Sequence, residues 1–186
     1  MSKLSNQKKR VACLYERAEK HWADGELRLA FRLFLAAARA GFVPALGLVA
    51  QFYDFGYGIK VNEDAALYWY RRAARHGNFS AANNIGCIWR DRRKFGRAIM
   101  WFQRAIRLGD GDANLQIAKI FLSNQRDRNK AIHYLLKTVK AAEVTEGSIE
   151  EARKLLSEIR KMKRRPSRRP AAKMDESPSR RSARRQ

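Results

Sequence analysis

Cysteine is nearly absent from this chain: its 186 residues contain two, Cys13 and Cys87. A chain of this length can bury a core without covalent staples, so the disulfide framework of a small secreted domain is excluded. Both cysteines are expected as small buried side chains in a reducing compartment. Histidine is as scarce, with His21, His76 and His133 the only three. Each falls near an expected helix end or turn, and none has Cys, Asp or Glu at metal-ligand spacing, so no metal site is expected. No nucleophile and base sit together, and neither a catalytic residue nor a cofactor is expected. The most apolar region, residues 27–55, is interrupted by Arg28, Arg32, Arg39 and Pro44, which rules out a membrane-spanning helix. The first fifteen residues lack an apolar block long enough for a secretory signal, and a cytoplasmic address is the expectation.

Acidic residues are also few. Asp and Glu number 18 against 40 Lys and Arg, a formal charge of +22. From Arg160 to Gln186 there are 12 cations and two acids, with three prolines and few apolar side chains. That composition predicts a disordered basic tail over residues 163–186. It follows a helical domain over 7–162 and a flexible segment over 1–6.

What the chain does contain is a repeat. Apolar residues recur at spacings of three and four through nine segments, the signature of amphipathic helices. The alanines opening alternate segments, Ala30, Ala66, Ala98 and Ala131, lie 36, 32 and 33 residues apart. Gly41, Gly77 and Gly109, between units, repeat at 36 and 32. The small residues Ala50, Gly86 and Ala118 keep the same register. Four helix–turn–helix units follow, each unable to bury its apolar face alone and stable only when stacked. Asn62 is expected to cap the fourth helix and Ser80 the fifth. Gly86, costly inside a helix by about 1 kcal/mol relative to Ala, is expected to mark close helix contact. A ninth helix from Ser148, opened by a Ser148–Glu151 capping box, would close the stack. Tyr53, Trp69, Tyr70, Trp89, Trp101 and Phe102 occur at helical spacing, which favours a core role over base stacking.

The best-preserved unit carries Ala45, Val49-Ala50, Tyr53, Gly56-Tyr57-Gly58, Asp64, Ala66, Trp69-Tyr70, Arg71-Arg72, Ala73-Ala74 and Gly77. In this it resembles the Sel-one-like repeat, a relative of the tetratricopeptide repeat. Gly56-Tyr57-Gly58 follows a helix and precedes no Gly-Lys-Ser/Thr, so it is not a phosphate loop. The other units depart from the pattern, and in the third the glycine turn is replaced by a basic run from Arg90 to Arg97. The resemblance spans roughly residues 10–141. It implies an all-α fold, a right-handed α-solenoid of antiparallel helix pairs with about four units and a capping helix.

It further implies a non-enzymatic adaptor that holds a partner protein or peptide on its concave face. Transferred position by position, that face includes Gly47, Gln51 and Asp54, then Asn83, Cys87 and Arg90, then Leu115, Lys119 and Leu122. An alternative rests on the cations. Arg92, Arg93, Lys94 and Arg97 crowd one turn, and Arg164, Arg165, Arg168 and Arg169 crowd the tail. Such clusters attract nucleic acid or another polyanion without regard to sequence. In a eukaryotic host, residues 161–169 would also read as a nuclear localisation signal.

Overall fold

The structure, a computed structural model, describes residues 3–123 and 127–164. The segment 165–186, which holds nearly all of the expected tail, lies outside the described residues. The described residues form nine α-helices and no strand. In chain order these are α1 (Lys3–Ala23), α2 (Leu27–Arg39), α3 (Val43–Phe55), α4 (Glu63–Arg75), α5 (Phe79–Asp91), α6 (Phe95–Arg107), α7 (Ala113–Ser123), α8 (Arg128–Lys140) and α9 (Glu146–Arg164). Odd-numbered helices are the first (A) members of each unit and even-numbered ones the second (B). The substantial contacts all join chain neighbours, α1 to α2, α2 to α3 and so on to α9, and are denser within units than between them. This is the stacking expected of an α-solenoid, whose stability is a sum of unit and nearest-neighbour terms.

The register alanines explain the repeat. Ala30, Ala66, Ala98 and Ala131 are each 0 % exposed, sealed inside the packed helix pairs. Between them the core is aromatic. Trp22 meets Phe34 and Phe52 with ring centroids 5.8 and 5.5 Å apart, and Phe31 meets Phe52 and Tyr53 at 5.7 and 5.2 Å. Tyr70, Trp69, Trp89 and Phe102 are likewise buried, which bears out their core assignment. A smaller cluster of Leu115, Ala118, Leu135, Ala152 and Ile159 seats α9 on α7 and α8. Leu115, expected on the concave face, is 1 % exposed and belongs to this core.

Gly56, Gly58, Gly86 and Gly111 leave no room for a side chain, and two of them set how helices and units pack. At Gly86 a Cβ would lie 2.5 Å from Cε1 and 2.6 Å from Cδ1 of Phe102, so the missing side chain lets α6 press against α5. At Gly58, with φ of +65°, a Cβ would lie 2.8 Å from that of Leu27, while Arg28 Nε donates to the Gly58 carbonyl at 3.2 Å. The Gly-x-Gly turn therefore docks unit two onto the start of α2. In the third unit, where those glycines are gone, Arg93 takes the left-handed conformation instead, with φ of 57°.

The helix starts differ from the expectation in three places. Asn62 caps α4, accepting from the Ala65 amide at 3.0 Å, but the cap of α5 is Asn78, accepting from the Ala81 amide at 2.8 Å, and not Ser80. Gly77, with φ of 87°, turns the chain one residue before Asn78 and brings its side chain into position. The last helix begins at Glu146, ahead of Ser148. Its start is held by Asp112, whose Oδ1 accepts from the amide and hydroxyl of Thr145 at 3.0 and 3.1 Å. The first helix begins at Lys3, inside the segment expected to be flexible.

Candidate partner-binding face

The A-helices α3, α5 and α7 carry the residues that the repeat register assigns to one face. Gln51, Asp54, Asn83, Cys87, Arg90 and Lys119 are all half-buried. Direct bonds tie three of them, Asp54, Arg90 and Lys119, across units. Asp54 Oδ2 accepts from the Tyr70 hydroxyl at 3.1 Å, and the same hydroxyl accepts from Asn84 Nδ2 at 3.0 Å. One bridge therefore runs α3–α4–α5. Arg90 Nη1 donates to Gln116 Oε1 at 2.8 Å and its Nε to Asp91 at 2.9 Å, joining α5 to α7. Lys119 Nζ meets Glu151 Oε2 at 2.8 Å, joining α7 to α9.

The electrostatics follow from partial burial. Burial raises the Asp54 carboxyl above its ordinary range, although the Tyr70 hydroxyl bond opposes this. Tyr70 is raised by burial first and then by the Asp54 charge beside it. Burial also raises the Cys87 thiol, with Arg90 pulling the other way, so this cysteine is held as a neutral thiol rather than an activated nucleophile. Cys13, expected to be buried, is exposed on α1. Asn83 Oδ1 is buried and accepts no hydrogen bond among the described residues, leaving one polar atom on this face unsatisfied.

Sequence reasoning missed Asn84, Gln116, Asp91 and Glu151, the partners in these bridges. Asn84 and Gln116 were within reach, because both stand two residues before the small residue of their unit, Gly86 or Ala118. Glu151 and Asp91 carry no such signal.

Three of the four cations of the third-unit turn, Arg92, Arg93 and Arg97, are engaged within the fold. Arg92 binds Glu63 Oε2 at 2.6 Å and Asp64 Oδ1 at 3.3 Å. Its guanidinium lies 5.4 Å from the Trp89 ring centre, and that of Arg97 lies 4.7 Å from it. Arg93 approaches Phe95 at 5.9 Å, and Lys94 stands exposed at the start of α6. Arg164 ends α9, while Arg165, Arg168 and Arg169 lie outside the described residues. Among the described residues no group of three or more His, Cys, Asp or Glu is placed to hold a metal ion. None of the described helices is long and apolar enough to cross a membrane.

No curated protein matches the chain. Among solved structures it is similar to a Sel1 repeat protein from Oxalobacter formigenes, with 22% identity and a TM-score of 0.65 over 83% of this chain and 65% of that one. It is also similar to a protective antigen of uropathogenic Escherichia coli with an SLR fold, at 20% identity and a TM-score of 0.64, covering 85% of this chain and 37% of the other. A third likeness is to MamA, at 20% identity and a TM-score of 0.54, covering 78% and 96%. The chain thus spans less than two thirds of the length of the first two. These likenesses establish the fold. The Sel1 repeat profile itself matches residues 23–42, 43–78, 90–110 and 125–142, one segment in each of the four units read from the alanine register, and the chain belongs to the Sel1 repeat family.

Proposed function

We propose that the chain is a non-enzymatic scaffold that binds a partner protein or peptide along the A-helix face, in a reducing, cytoplasmic setting where the exposed Cys13 thiol stays free. The observation that carries this reading is the row of half-buried polar side chains on successive A-helices, bridged from α3 to α9 yet leaving Asn83 Oδ1 unsatisfied. Asp54, Arg90 and Lys119, already held by their own bonds, lose little side-chain entropy on binding, which favours affinity for an extended segment laid across the units.

Photocrosslinking tests this directly. With benzoylphenylalanine at Gln51 or Lys119, a covalent adduct with a partner polypeptide is expected. With the same group at Met100 on α6, where the side chain is exposed, none is expected. Adducts from Met100 and none from the A-helix positions would overturn the reading.

The alternative, phosphate contact through the tail and the Arg92 turn, is weakened at the turn, where Arg92 is committed to Glu63 and Asp64.

A further inference from the structure

The charges of the described residues divide between the two edges of the solenoid. Nine residues after the alanine that opens each B-helix motif stand Arg39, Arg75, Arg107 and Lys140. Each is exposed and sits in the last turn of α2, α4, α6 or α8. A cation there suits the negative end of the helix dipole, which accounts for each one singly. The dipole likewise draws acids to B-helix starts such as that of α4, but it does not account for α3 and α5, which start on the inter-unit edge with no acid in their first turns. His21–Glu26, Arg90–Asp91, Arg92–Glu63 and Lys130–Asp127 all lie at the opposite edge, where A-helices turn into B-helices. The four cations of the inter-unit edge have no ion-pair, hydrogen-bond or ring partner among the described residues.

The first helix adds to this edge. Gln7, Lys8 and Val11 of α1 line one cleft with Ala40, Gly41 and Phe42 just past the end of α2, which brings the exposed Lys8 to this edge, while the exposed Lys9 and Arg10 line a separate cleft on α1. Acids appear on this edge only beyond Arg107. Asp110 is buried and caps α7 through the Ala113 amide, Asp112 is bonded to Thr145, and Glu143 and Glu146 follow.

Between α6 and α8 the row opens into a groove of about 650 Å³ lined by Gln103, Arg107, Asn114, Tyr134, Lys137 and Lys140, with no carboxylate in its walls. Asn114 is 4 % exposed, donates to the Gly111 carbonyl at 3.1 Å, and leaves its Oδ1 without a partner. Three cations converging on one groove repel each other until a polyanion neutralises them.

We propose that this inter-unit edge binds single-stranded nucleic acid through its phosphate backbone, seated in the α6–α8 groove by Arg107, Lys137 and Lys140 and continued toward α1 by Arg75 and Arg39. Equivalent positions in stacked units form a row that curves with the superhelix. A flexible strand follows such a row, whereas a flat bilayer meets only part of it. The exposed apolar side chains at the A-helix starts on this edge are Val43 and Phe79, too few for the continuous apolar face that interfacial membrane binding needs. The surface is distinct from the A-helix face, and neither reading depends on the other.

The test is fluorescence anisotropy of a labelled oligothymidylate with the full chain over a series of NaCl concentrations. Replacing Arg39, Arg75, Arg107 and Lys140 together by Gln is expected to flatten the log–log salt slope by about 0.7 per cation, near three in all. A charge-matched control, Arg17→Gln, Lys60→Gln, Arg153→Gln and Lys154→Gln, is expected to keep the wild-type slope. Should the fourfold variant lose helical circular dichroism, Arg107→Gln with Lys140→Gln is read the same way, at about 1.4. An unchanged slope in the edge variant, or an equal loss in the control, would overturn the proposal. So would phosphatidylserine vesicle binding that the edge variant loses while oligothymidylate binding stays intact.

Discussion

Replacing Gly86 by Ala sets two well-characterised effects against each other, and the structure decides the sign. Helix propensity alone favours the substitution by about 1 kcal/mol. The new methyl, however, would stand 2.5, 2.6 and 3.0 Å from Cε1, Cδ1 and Cγ of Phe102, which is 0 % exposed. A buried ring cannot swing aside, so α5 and α6 must separate or Phe102 must leave its rotamer. Overpacking of this kind costs typically about 1–3 kcal/mol, and three close ring atoms place it in the upper part of that range. The net expectation is a loss of about 1–2 kcal/mol, or roughly 3–6 °C in Tm for a domain of this size, measured by thermal unfolding followed at 222 nm. Adding Phe102→Leu to Gly86→Ala should recover part of the loss, with a coupling of about 1 kcal/mol in the double-mutant cycle. A Gly86→Ala variant that melts higher than wild type would refute the close-packing account of the third unit.

Other outcomes follow from single features of the fold. Asn78→Ala removes the cap of α5 and should lower stability by about 1 kcal/mol, while Ser80→Ala should change it by less than about 0.5 kcal/mol; urea titration of both variants separates them. Because burial raises the folded-state pKa of Asp54 above its ordinary 3.8, the ionised carboxylate destabilises the fold at neutral pH, and the penalty is relieved as pH falls through that raised value. Asp54→Asn, which can still accept from Tyr70, should therefore melt at or above the wild-type temperature at pH 7, with the gap narrowing on acidification; a constant gap would contradict this assignment. Arg92→Ala should cost less than about 1 kcal/mol, since its pairs with Glu63 and Asp64 are solvent-exposed, and the cost should shrink in high salt.

What could be read from the chain divides along physical lines. The alanine register was legible because burial inside the packed helix pairs recurs at fixed positions, and Ala30, Ala66, Ala98 and Ala131 are correspondingly inaccessible to solvent. Helix starts were less legible. Asn78 and Ser80 are both good caps two residues apart, and the choice is made by where Gly77 reverses the chain. The least legible features are the pairings across units. Arg92 reaches Glu63 over 29 residues and Lys119 reaches Glu151 over 32, separations of about one repeat that become contacts only through stacking. That is why a run read as a free basic cluster turned out to include an arginine bound to the start of the preceding B-helix. The cations at Arg39, Arg75, Arg107 and Lys140, which form no ion pair among the described residues, share a register that is visible in the sequence, but their lack of a partner is a property of the edge they occupy.

The most direct test of the account compares two variants against the same partner polypeptide, once crosslinking from Gln51 or Lys119 has recovered it. Calorimetric titration should show Arg90→Gln with Lys119→Gln weakening that partner roughly tenfold or more, while the fourfold inter-unit edge variant binds it as wild type does. Equal affinity for the A-helix variant, with the loss appearing in the edge variant instead, would contradict the assignment of the A-helix face as the partner-binding surface.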